Sequence, residues 1–514
     1  MAIFTLSTIV SPGIFQLKIK HYSLYFASII YCATLLNYAL GYHGAKGKDI
    51  LFIAVLLLAI SFNKLLRKII LLPLLFITAI YFPIGYLYGH PSLSIIASFF
   101  QTNNSEAIEF IHSIPAACYA LPFTLLIGYV FIKKSIINIQ VSSHVKAWST
   151  LPFLLLTLSL GVEGKLSDIK LVKFLISTQE AYQDYKYQIA KLQENSSAEW
   201  KIQKNSYPGK NMIIIIGESM RADYMSVYGY PLLTTPFLSK INGTFYRNYI
   251  SAAPNTFLSL PRTLSLSSGA SFDISYNIIN LAKQAGYETF WLSNQGLLGK
   301  FDTPTSRLAM FSDHSIFLKK GDYASLNKDD FQLIPSFQHA LFADYKHKLI
   351  VLHIMGSHPR FEERLSGEKP FFHFSNHDIS NYISTYRRTD AFIKTIYNMA
   401  SEAKEPFKII YFSDHGLTQR NIDDHIYLRH GVTKKENYHV PLLILSSDAN
   451  QRIYIDTPVS AFDFISFFAQ EAGIKVIHPK LTKWAESGKE IKVFSGATMV
   501  SYNKLGDEPP VILH

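Results

Sequence analysis

Three short motifs in the second half of the sequence place acidic, hydroxyl and imidazole side chains directly after or just beyond apolar runs. They are Gly217-Glu218-Ser219, Gly356-Ser357-His358 and Ser413-Asp414-His415-Gly416. In doubly wound sheets, ligand and catalytic sites form beyond the carboxyl ends of the strands. Asp414 and His415 would then offer an oxygen and a nitrogen to one divalent cation, and Glu218 would supply a second carboxylate. A lone Asp-His pair would be better explained by loop capping, but three converging motifs favour a metal centre.

A fourth segment supplies hydroxyl groups that such a metal could activate. A bound metal lowers the pKa of a hydroxyl group, which an otherwise unreactive Ser or Thr needs to become a nucleophile. The candidates are Thr256 and Ser259, in the segment PNTFLSLPR at 254–262. The sequence therefore predicts a metal-assisted nucleophilic site.

The elements that must position these residues are short apolar runs separated by longer mixed segments. The runs are 212–216, 289–292, 349–354, 408–412 and 440–445. Such alternation is typical of strands joined by helices, and it predicts an α/β sandwich with a largely parallel sheet. His353 lies inside one of these runs, so we expect a satisfied core histidine there.

The first 163 residues carry much longer apolar runs, as expected from a hydrophobic content of 48% over 514 residues. Crossing the hydrocarbon core takes about 20 apolar residues. Three runs meet or nearly meet that length, and two shorter ones would otherwise be interfacial or re-entrant. We predict an N-terminal five-helix transmembrane bundle over 1–163, with spans at 22–42, 50–62, 69–88, 114–132 and 148–162.

Basic residues predict the orientation of this bundle, because loops rich in Lys and Arg stay in the cytoplasm. They precede the first span, follow the second and separate the fourth from the fifth: Lys18, Lys20, Lys64, Arg67, Lys68, Lys133, Lys134 and Lys146. Lys46 and Lys48, in the first outer loop, are exceptions. Five spans place everything after Gly164 outside the cytoplasm. We expect a connecting amphipathic helix and linker over 164–208 and a catalytic domain over 209–514.

Charge and cysteine content restrict the partners. A net charge of +11 would suit nucleic acid, acidic lipid or phosphorylated glycan. The sequence has no basic tract with interleaved aromatics and no nucleic-acid motif, so we predict no nucleic-acid partner. Both cysteines, Cys32 and Cys118, fall in predicted spans, which leaves the predicted catalytic domain without a thiol.

Further motifs make the sequence resemble the bacterial phosphoethanolamine transferases of the alkaline phosphatase and sulfatase superfamily. The opening motif is Glu218 with Arg221, Gly229-Tyr230 and Thr234-Thr235-Pro236, and Thr256-x-x-Ser259-x-Pro261 follows. The resemblance continues through 282–295, 352–358, 382–390, 414–416, 427–431 and 439–441. It covers essentially the whole predicted soluble domain, and the family also has five spans. The order and spacing of these motifs make the match specific and imply an alkaline phosphatase/sulfatase-like α/β sandwich.

The resemblance also implies roles for particular residues. It implies a zinc site, with manganese as the alternative ion, formed by Glu218, Thr256, Asp414 and His415. Thr256 would also be the nucleophile. Residues near the donor would be His358, His430 and, at a less well matched spacing, Lys300, together with Asn103 and Glu106 of an outer loop.

The implied reaction moves phosphoethanolamine from phosphatidylethanolamine to lipopolysaccharide, at lipid A or a core sugar, through a covalent phosphothreonine. The implied location is the bacterial inner membrane, multi-pass, with the catalytic domain in the periplasm. The implied partners are the lipid donor, a lipopolysaccharide or other periplasmic glycan acceptor, and membrane lipids.

The sequence departs from the family directly after Asp414-His415-Gly416. Family members often have an acidic residue there, whereas this chain continues Leu417-Thr418-Gln419-Arg420, and its stretch to His430 is longer. This departure leaves open a second metal and the form of the acceptor pocket.

Two other functions are compatible with parts of the pattern. A phosphoglycerol transferase of the lipoteichoic acid synthase type would share the topology and the threonine nucleophile, and donor assays separate the two. A membrane metal-binding sensor without turnover is the alternative outside enzymes. The intact set of Glu218, Thr256, Asp414 and His415 argues against the sensor, because a degenerate site would be expected to lose at least one of them.

Overall fold

The structure, a computed structural model, describes residues 12–42, 46–101, 111, 114–139, 144, 148–192, 198–203, 209–296, 304–319, 329–422, 425–485, 488 and 490–512. Contacts divide the chain into two compact units. Met1–Ile95 and Phe110–Gln183 form the first, which we call the helical unit. Ile96–Glu109 and Asp184–His514 form the second, which we call the sheet unit.

The N-terminal part of the chain folds into helices. They are α1 (Pro12–Ala39), α2 (Gly47–Ser61), α3 (Lys64–Tyr88), α4 (Leu93–Gln101), α5 (Ala116–Ile139), α6 (Leu151–Val162) and α7 (Lys170–Leu192). Within the helical unit, α1 packs against α2, α3 and α5. The short helix α4 was not predicted, and α7 occupies much of the segment predicted to be a connecting helix and linker.

Each of the five predicted spans falls largely on one helix, namely α1, α2, α3, α5 and α6 in turn. Length and apolarity together are a stricter criterion for a membrane-spanning helix than position alone. Among the described residues, 2 helical stretches are long and apolar enough to cross a membrane, Lys64–Tyr88 and Cys118–Ile137. Leu151–Val162 is apolar but shorter. The full five-span bundle therefore stays a prediction.

The sheet unit contains the strands. They are β1 (Lys201–Ile202), β2 (Asn211–Gly217), β3 (Gly243–Ile250), β4 (Ser265–Ser268), β5 (Ser271–Asn277), β6 (Glu288–Gly296), β7 (His314–Lys319), β8 (Lys348–His353), β9 (Phe407–Ser413), β10 (Thr418–Ile422), β11 (His425–Arg429), β12 (His439–Ser446), β13 (Arg452–Ile455), β14 (Val459–Ser460), β15 (Val476–Ile477), β16 (Lys492–Phe494) and β17 (Met499–Ser501).

The helices of the sheet unit beyond α7 are short, with one exception. They are α8 (Thr256–Leu264), α9 (Ile278–Gln284), α10 (Pro304–Ala309), α11 (Ile334–Leu341), α12 (Phe361–Arg364), α13 (His377–Glu402) and α14 (Phe464–Glu471).

Nine strands form the main sheet, in the order β13-β3-β12-β9-β2-β8-β6-β7, with β14 paired to β3. Strands β9, β2, β8, β6 and β7 run parallel to one another. Strand β12 is antiparallel to both β3 and β9. The five predicted apolar runs are all strands of this sheet, and its largely parallel character is confirmed.

Burial on both faces explains why the central strands are continuously apolar. Every residue of β2 and β8 is buried. On one face, Ile213, Ile409 and Tyr411 share a hydrophobic core with residues of α11 and α13. On the other face, the ring of Phe412 lies 4.7 Å from that of Phe464 in α14. The sheet lies between helices, as predicted for an α/β sandwich.

Candidate metal centre

Two neighbouring strand ends bring three of the predicted residues together. Glu218 directly follows β2, and Asp414 with His415 directly follows β9. The strands are parallel and in register, with Gly217 opposite Ser413. Parallel strands end at the same edge of a sheet, so these side chains must meet there. All three residues are buried.

Thr256 reaches the same place from a helix. It is the first residue of α8, and the side chain of Asn255 caps that helix by accepting a hydrogen bond from the Leu258 amide at 3.1 Å. Two hydroxyl groups, Ser259 in α8 and Ser251 directly after β3, tie this region to the residue after β9. Both Ser259 Oγ, at 2.7 Å, and Ser251 Oγ donate to the carbonyl oxygen of Asp414. The nucleophile candidate is thereby held beside the acidic cluster.

The distances define one compact cluster. Thr256 Oγ1 lies 3.0 Å from Glu218 Oε2 and 3.3 Å from His415 Nε2. His415 Nε2 lies 3.1 Å from Glu218 Oε1 and 3.5 Å from Asp414 Oδ2. In the described part of the chain, Glu218, Asp414 and His415 are the one group of three such residues whose ligand atoms all lie within 4.8 Å.

Burial and mutual charge perturb all three groups. Burial raises the pKa of the Asp414 carboxyl group to about 7, and the charge of Glu218 adds to this shift. Burial alone would lower the pKa of His415, but the carboxylates of Asp414 and Glu218 outweigh it and raise the pKa to about 9. Burial would raise the pKa of Glu218, but His415 holds it well below its usual range. Two carboxylates crowded into a buried site favour a cation.

The residues fit a divalent metal on their own geometry. Asp414 Oδ2 is buried and has no hydrogen-bond partner in the described part of the chain, a costly state for a carboxylate oxygen unless a cation binds it. His415 Nδ1 lies 2.9 Å from the Gly416 carbonyl oxygen, to which it donates, so Nε2 is the nitrogen that faces the cluster and would bind a cation in exchange for its proton. Two carboxylates, an imidazole and a hydroxyl group are ligands typical of zinc.

Two predicted histidines lie around this cluster. The His430 ring lies 4.7 Å from the His415 ring, and its Nδ1 is buried without a hydrogen-bond partner among the described residues. Burial, with the charge of His415 next, lowers the pKa of His430 to about 3, so its ring is neutral. His358 is close enough for its charge to lower the pKa values of Glu218 and His430.

The longer stretch before His430 is a hairpin. Strands β10 and β11 pair in antiparallel fashion, and Thr418 opposite Arg429 closes the hairpin at its base. His430 directly follows the last residue of this hairpin.

Other predicted residues have different outcomes. Asn103, Glu106 and Lys300 lie outside the described residues. His353 is buried in the core, and its Nδ1 lies 3.3 Å from Ser293 Oγ. Its Nε2, however, has no hydrogen-bond partner in the described part of the chain. The expectation of a fully satisfied histidine is therefore wrong for one of its two nitrogens.

Two site residues were missed. Gln295 donates from Nε2 to Glu218 Oε2 at 3.0 Å. The side chain of Asn437 donates to the Pro254 carbonyl oxygen at 3.1 Å and accepts from the Gly431 amide at 2.7 Å, which links the loops of Thr256 and His430. Gln295 ends an apolar strand as the other motifs do, and that signal was available. Asn437 had no such signal.

Comparison with protein families identifies the family to which this chain belongs. The family described as Sulfatase matches residues 210–474, more than half of the chain. The chain therefore belongs to the sulfatase family, and the strands and the candidate metal centre all lie in or near the matched region.

Similar proteins identify a narrower group within that family. Phosphoethanolamine transferase OpgE of Escherichia coli K12 is 29% identical over 463 residues, covering 86% of each chain. A protein of Haemophilus influenzae described as a phosphoethanolamine transferase is 35% identical over 372 residues, covering 70% of this chain and 75% of its own. This chain thus belongs to the phosphoethanolamine transferases of that family.

Solved structures support the fold. Lipooligosaccharide phosphoethanolamine transferase A (EptA) of Neisseria meningitidis, an integral membrane protein, superposes with a TM-score of 0.61 at 16% identity, covering 90% of this chain and 97% of its own. The zinc complex of the periplasmic domain of EptC from Escherichia coli gives a TM-score of 0.51 at 21% identity, covering 60% of this chain and 97% of its own.

Proposed function

We propose that the protein transfers phosphoethanolamine from phosphatidylethanolamine to a lipopolysaccharide acceptor, at lipid A or a core sugar, with Thr256 carrying the group in between. The observation on which this rests is the position of the Thr256 hydroxyl group, 3.0 Å from Glu218 Oε2 and 3.3 Å from His415 Nε2. An alcohol held among buried metal-ligand candidates, at the first residue of a helix, is placed for nucleophilic attack.

Two displacements make up the proposed reaction. Thr256 Oγ1 attacks phosphorus, the bond to the diacylglycerol oxygen breaks, and diacylglycerol leaves with a proton. An acceptor oxygen then attacks the phosphothreonine, which restores the threonine and releases the modified acceptor. Each step forms one phosphorus–oxygen bond and breaks another, and the proton of the attacking hydroxyl group passes to the oxygen that leaves, so the donor and the acceptor suffice and no oxidant or reductant is needed.

The residues that would hold zinc are Glu218, Thr256, Asp414 and His415. When bound, zinc lowers the pKa of a neighbouring hydroxyl group and offsets the negative charge of a phosphoryl group. His358 and His430 lie close to the same cluster, where a protonated imidazole would offset the negative charge of the phosphoryl oxygens. The zinc complex of the EptC domain, a neighbour in fold, supports zinc, and manganese is the alternative ion. Elemental analysis of the purified protein distinguishes the two ions.

We propose an inner-membrane location, with five spans and the sheet unit on the periplasmic side. Five helices at the predicted positions, two of them long and apolar enough to cross a membrane, support this arrangement. A lipid donor gives the physical reason for tethering the catalytic part to the bilayer. A reporter fused after residue 512 tests the orientation, and a cytoplasmic signal would contradict it.

Mass spectrometry tests the covalent step. Full-length protein incubated with phosphatidylethanolamine should gain the mass of one phosphoethanolamine group on the peptide that contains Thr256. Thr256→Val, which keeps the shape but removes the hydroxyl group, should gain none. Thr263→Val, in the same helix, is the matched control and should still be modified. An active preparation in which Thr256 never carries the group would overturn the covalent mechanism.

A second measurement tests the acceptor. Lipopolysaccharide from cells with and without the protein should differ by phosphoethanolamine, and cells producing Thr256→Val should resemble those lacking the protein. If the group is found on another periplasmic glycan instead, the acceptor assignment is wrong while the transfer chemistry stands.

A further inference from the structure

Gln295 crosses one strand end to reach the metal-ligand candidate Glu218. It lies near the end of β6, and the sheet order β9-β2-β8-β6 puts the end of β8 between the two residues. Its Nε2 lies 3.0 Å from Glu218 Oε2 and 3.2 Å from the carbonyl oxygen of Ile354, which directly follows β8. One amide group therefore joins three neighbouring strand ends.

Hydrogen-bond chemistry fixes which way this amide points. An ionised carboxylate and a carbonyl oxygen only accept hydrogen bonds, so the amide nitrogen of Gln295 must face both and use both of its hydrogens. The other carboxylate oxygen of Glu218, Oε1, accepts from Ser219 Oγ at 2.8 Å. Each oxygen of Glu218 is thus held by a different donor, which fixes the plane of the carboxylate.

The backbone of Gln295 is anchored as well. Its amide donates to Ser293 Oγ at 3.0 Å, and that hydroxyl group lies 3.3 Å from Nδ1 of the buried His353. Ser293 and His353 are both buried, so this anchor is shielded from water. A metal ligand fixed by a hydrogen bond from an anchored neighbour binds its ion more tightly than a free one.

We propose that Gln295 is a positioning residue for the metal centre. Its amide holds the Glu218 carboxylate in the orientation that binds the ion, and the Ser293–His353 pair holds Gln295. The proposal rests on the proposed function, because it takes Glu218 as a metal ligand. Gln295 acts through Glu218 and does not have to contact the substrate or the transferred group.

Zinc affinity of the full-length protein in detergent tests this role, measured by competition with a chromogenic chelator. Gln295→Met keeps the length of the side chain but has no donor, and it should weaken zinc binding by about 10- to 100-fold. Gln284→Met is the matched control, because among the described residues the Gln284 side chain bonds only to the backbone of Ala198 and Trp200. It should bind zinc as the wild type does.

A second readout separates positioning from general stability. The zinc-free Gln295→Met protein should stay folded and unfold at a denaturant concentration slightly below that of the zinc-free wild type, because the Ile354 carbonyl oxygen loses one hydrogen bond. If that variant does not fold without zinc, Gln295→Asn replaces it, because Asn keeps an amide but withdraws it by one methylene. Wild-type zinc affinity in a folded Gln295 variant overturns the proposal.

The variant Glu218→Gln distinguishes failure of the positioning role of Gln295 from failure of the metal-ligand assignment. If Glu218→Gln weakens zinc binding and Gln295→Met does not, the positioning role is wrong and the metal centre stands. If Glu218→Gln also binds zinc normally, the ligand assignment in the proposed function fails, and the role of Gln295 fails with it.

Discussion

Large apolar side chains are exposed along several helices of the helical unit, whereas they are buried in the central strands of the sheet unit. In the helical unit, Ile80, Phe123 and Leu158 expose 61%, 66% and 63% of their surfaces. In the sheet unit, every residue of the central strands β2 and β8 is buried. Exposed apolar side chains along helices are stable where hydrocarbon replaces water as the solvent. The difference is the one expected if hydrocarbon surrounds much of the helical unit, as we propose, while water surrounds the sheet unit.

Two buried asparagines, one in each unit, differ in whether their side chains have hydrogen-bond partners. Both side-chain polar atoms of Asn37, in α1, are buried without a hydrogen-bond partner among the described residues. Asn277, which caps α9, accepts from the Asn280 amide at 2.9 Å and donates to the Ile274 carbonyl oxygen at 2.7 Å. At these two positions, the asparagine of the sheet unit has hydrogen-bond partners, whereas that of the helical unit has none among the described residues.

The largest expected effect breaks the chemistry while leaving both units folded. Thr256→Ala should lower the rate of transfer by roughly four orders of magnitude or more, as expected for loss of a nucleophile. One lost hydroxyl group should change the free energy of unfolding by only about 1 kcal/mol. Transfer is measured with labelled phosphatidylethanolamine, and folding by circular dichroism. Transfer at the wild-type rate would place the nucleophile elsewhere.

Metal removal should act on the sheet unit alone. A chelator should abolish transfer and lower the thermal stability of the sheet unit, because Asp414 and Glu218 lose the cation that offsets their buried charges. An ion present at 1,000 times its Kd stabilises the folded state by about 4 kcal/mol. Tryptophan fluorescence can follow unfolding, and added zinc should restore both properties. Equal loss of structure in the helical unit would contradict the assignment.

Two lysine substitutions test whether the helical unit and the sheet unit face different solvents. Ile80→Lys, in α3, should oppose membrane insertion by about 2.5–3.5 kcal/mol if lipid surrounds that face. Ile477→Lys is the matched control, because Ile477 is 59% exposed against 61% for Ile80 but lies in the sheet unit. It should change stability by about 0.5 kcal/mol or less. Membrane fractionation and unfolding curves give the two values, and similar small effects at both sites would remove the difference in solvent.

The smallest expected effect compares the two asparagines. Asn277→Leu leaves the Asn280 amide and the Ile274 carbonyl oxygen without their partner and should destabilise the sheet unit by about 1–3 kcal/mol. Asn37→Leu removes two unpaired polar atoms and should be neutral or stabilising by about 1 kcal/mol. Detergent-stability assays report both. A loss at Asn37 as large as that at Asn277 would indicate a polar partner for Asn37 that the packing does not reveal.

Strand identity and the main site residues could be predicted because both follow from local patterns. Burial on two faces requires runs such as 212–216, and parallel strands end at one edge, so Glu218, Asp414 and His415 had to meet once their strands were neighbours. Gln295 was missed because its role depends on reaching across β8, and strand order is not encoded in any single strand.

The sequence by itself determined the two halves, the α/β character of the second half and the residue types available for chemistry, since periodicity and composition are local properties. Only the tertiary structure decided that Thr256 Oγ1 lies 3.0 Å from Glu218, that Gln295 holds the same carboxylate and that a hairpin precedes His430. Those distances depend on strand order and loop packing, which arise from contacts between residues far apart in the chain.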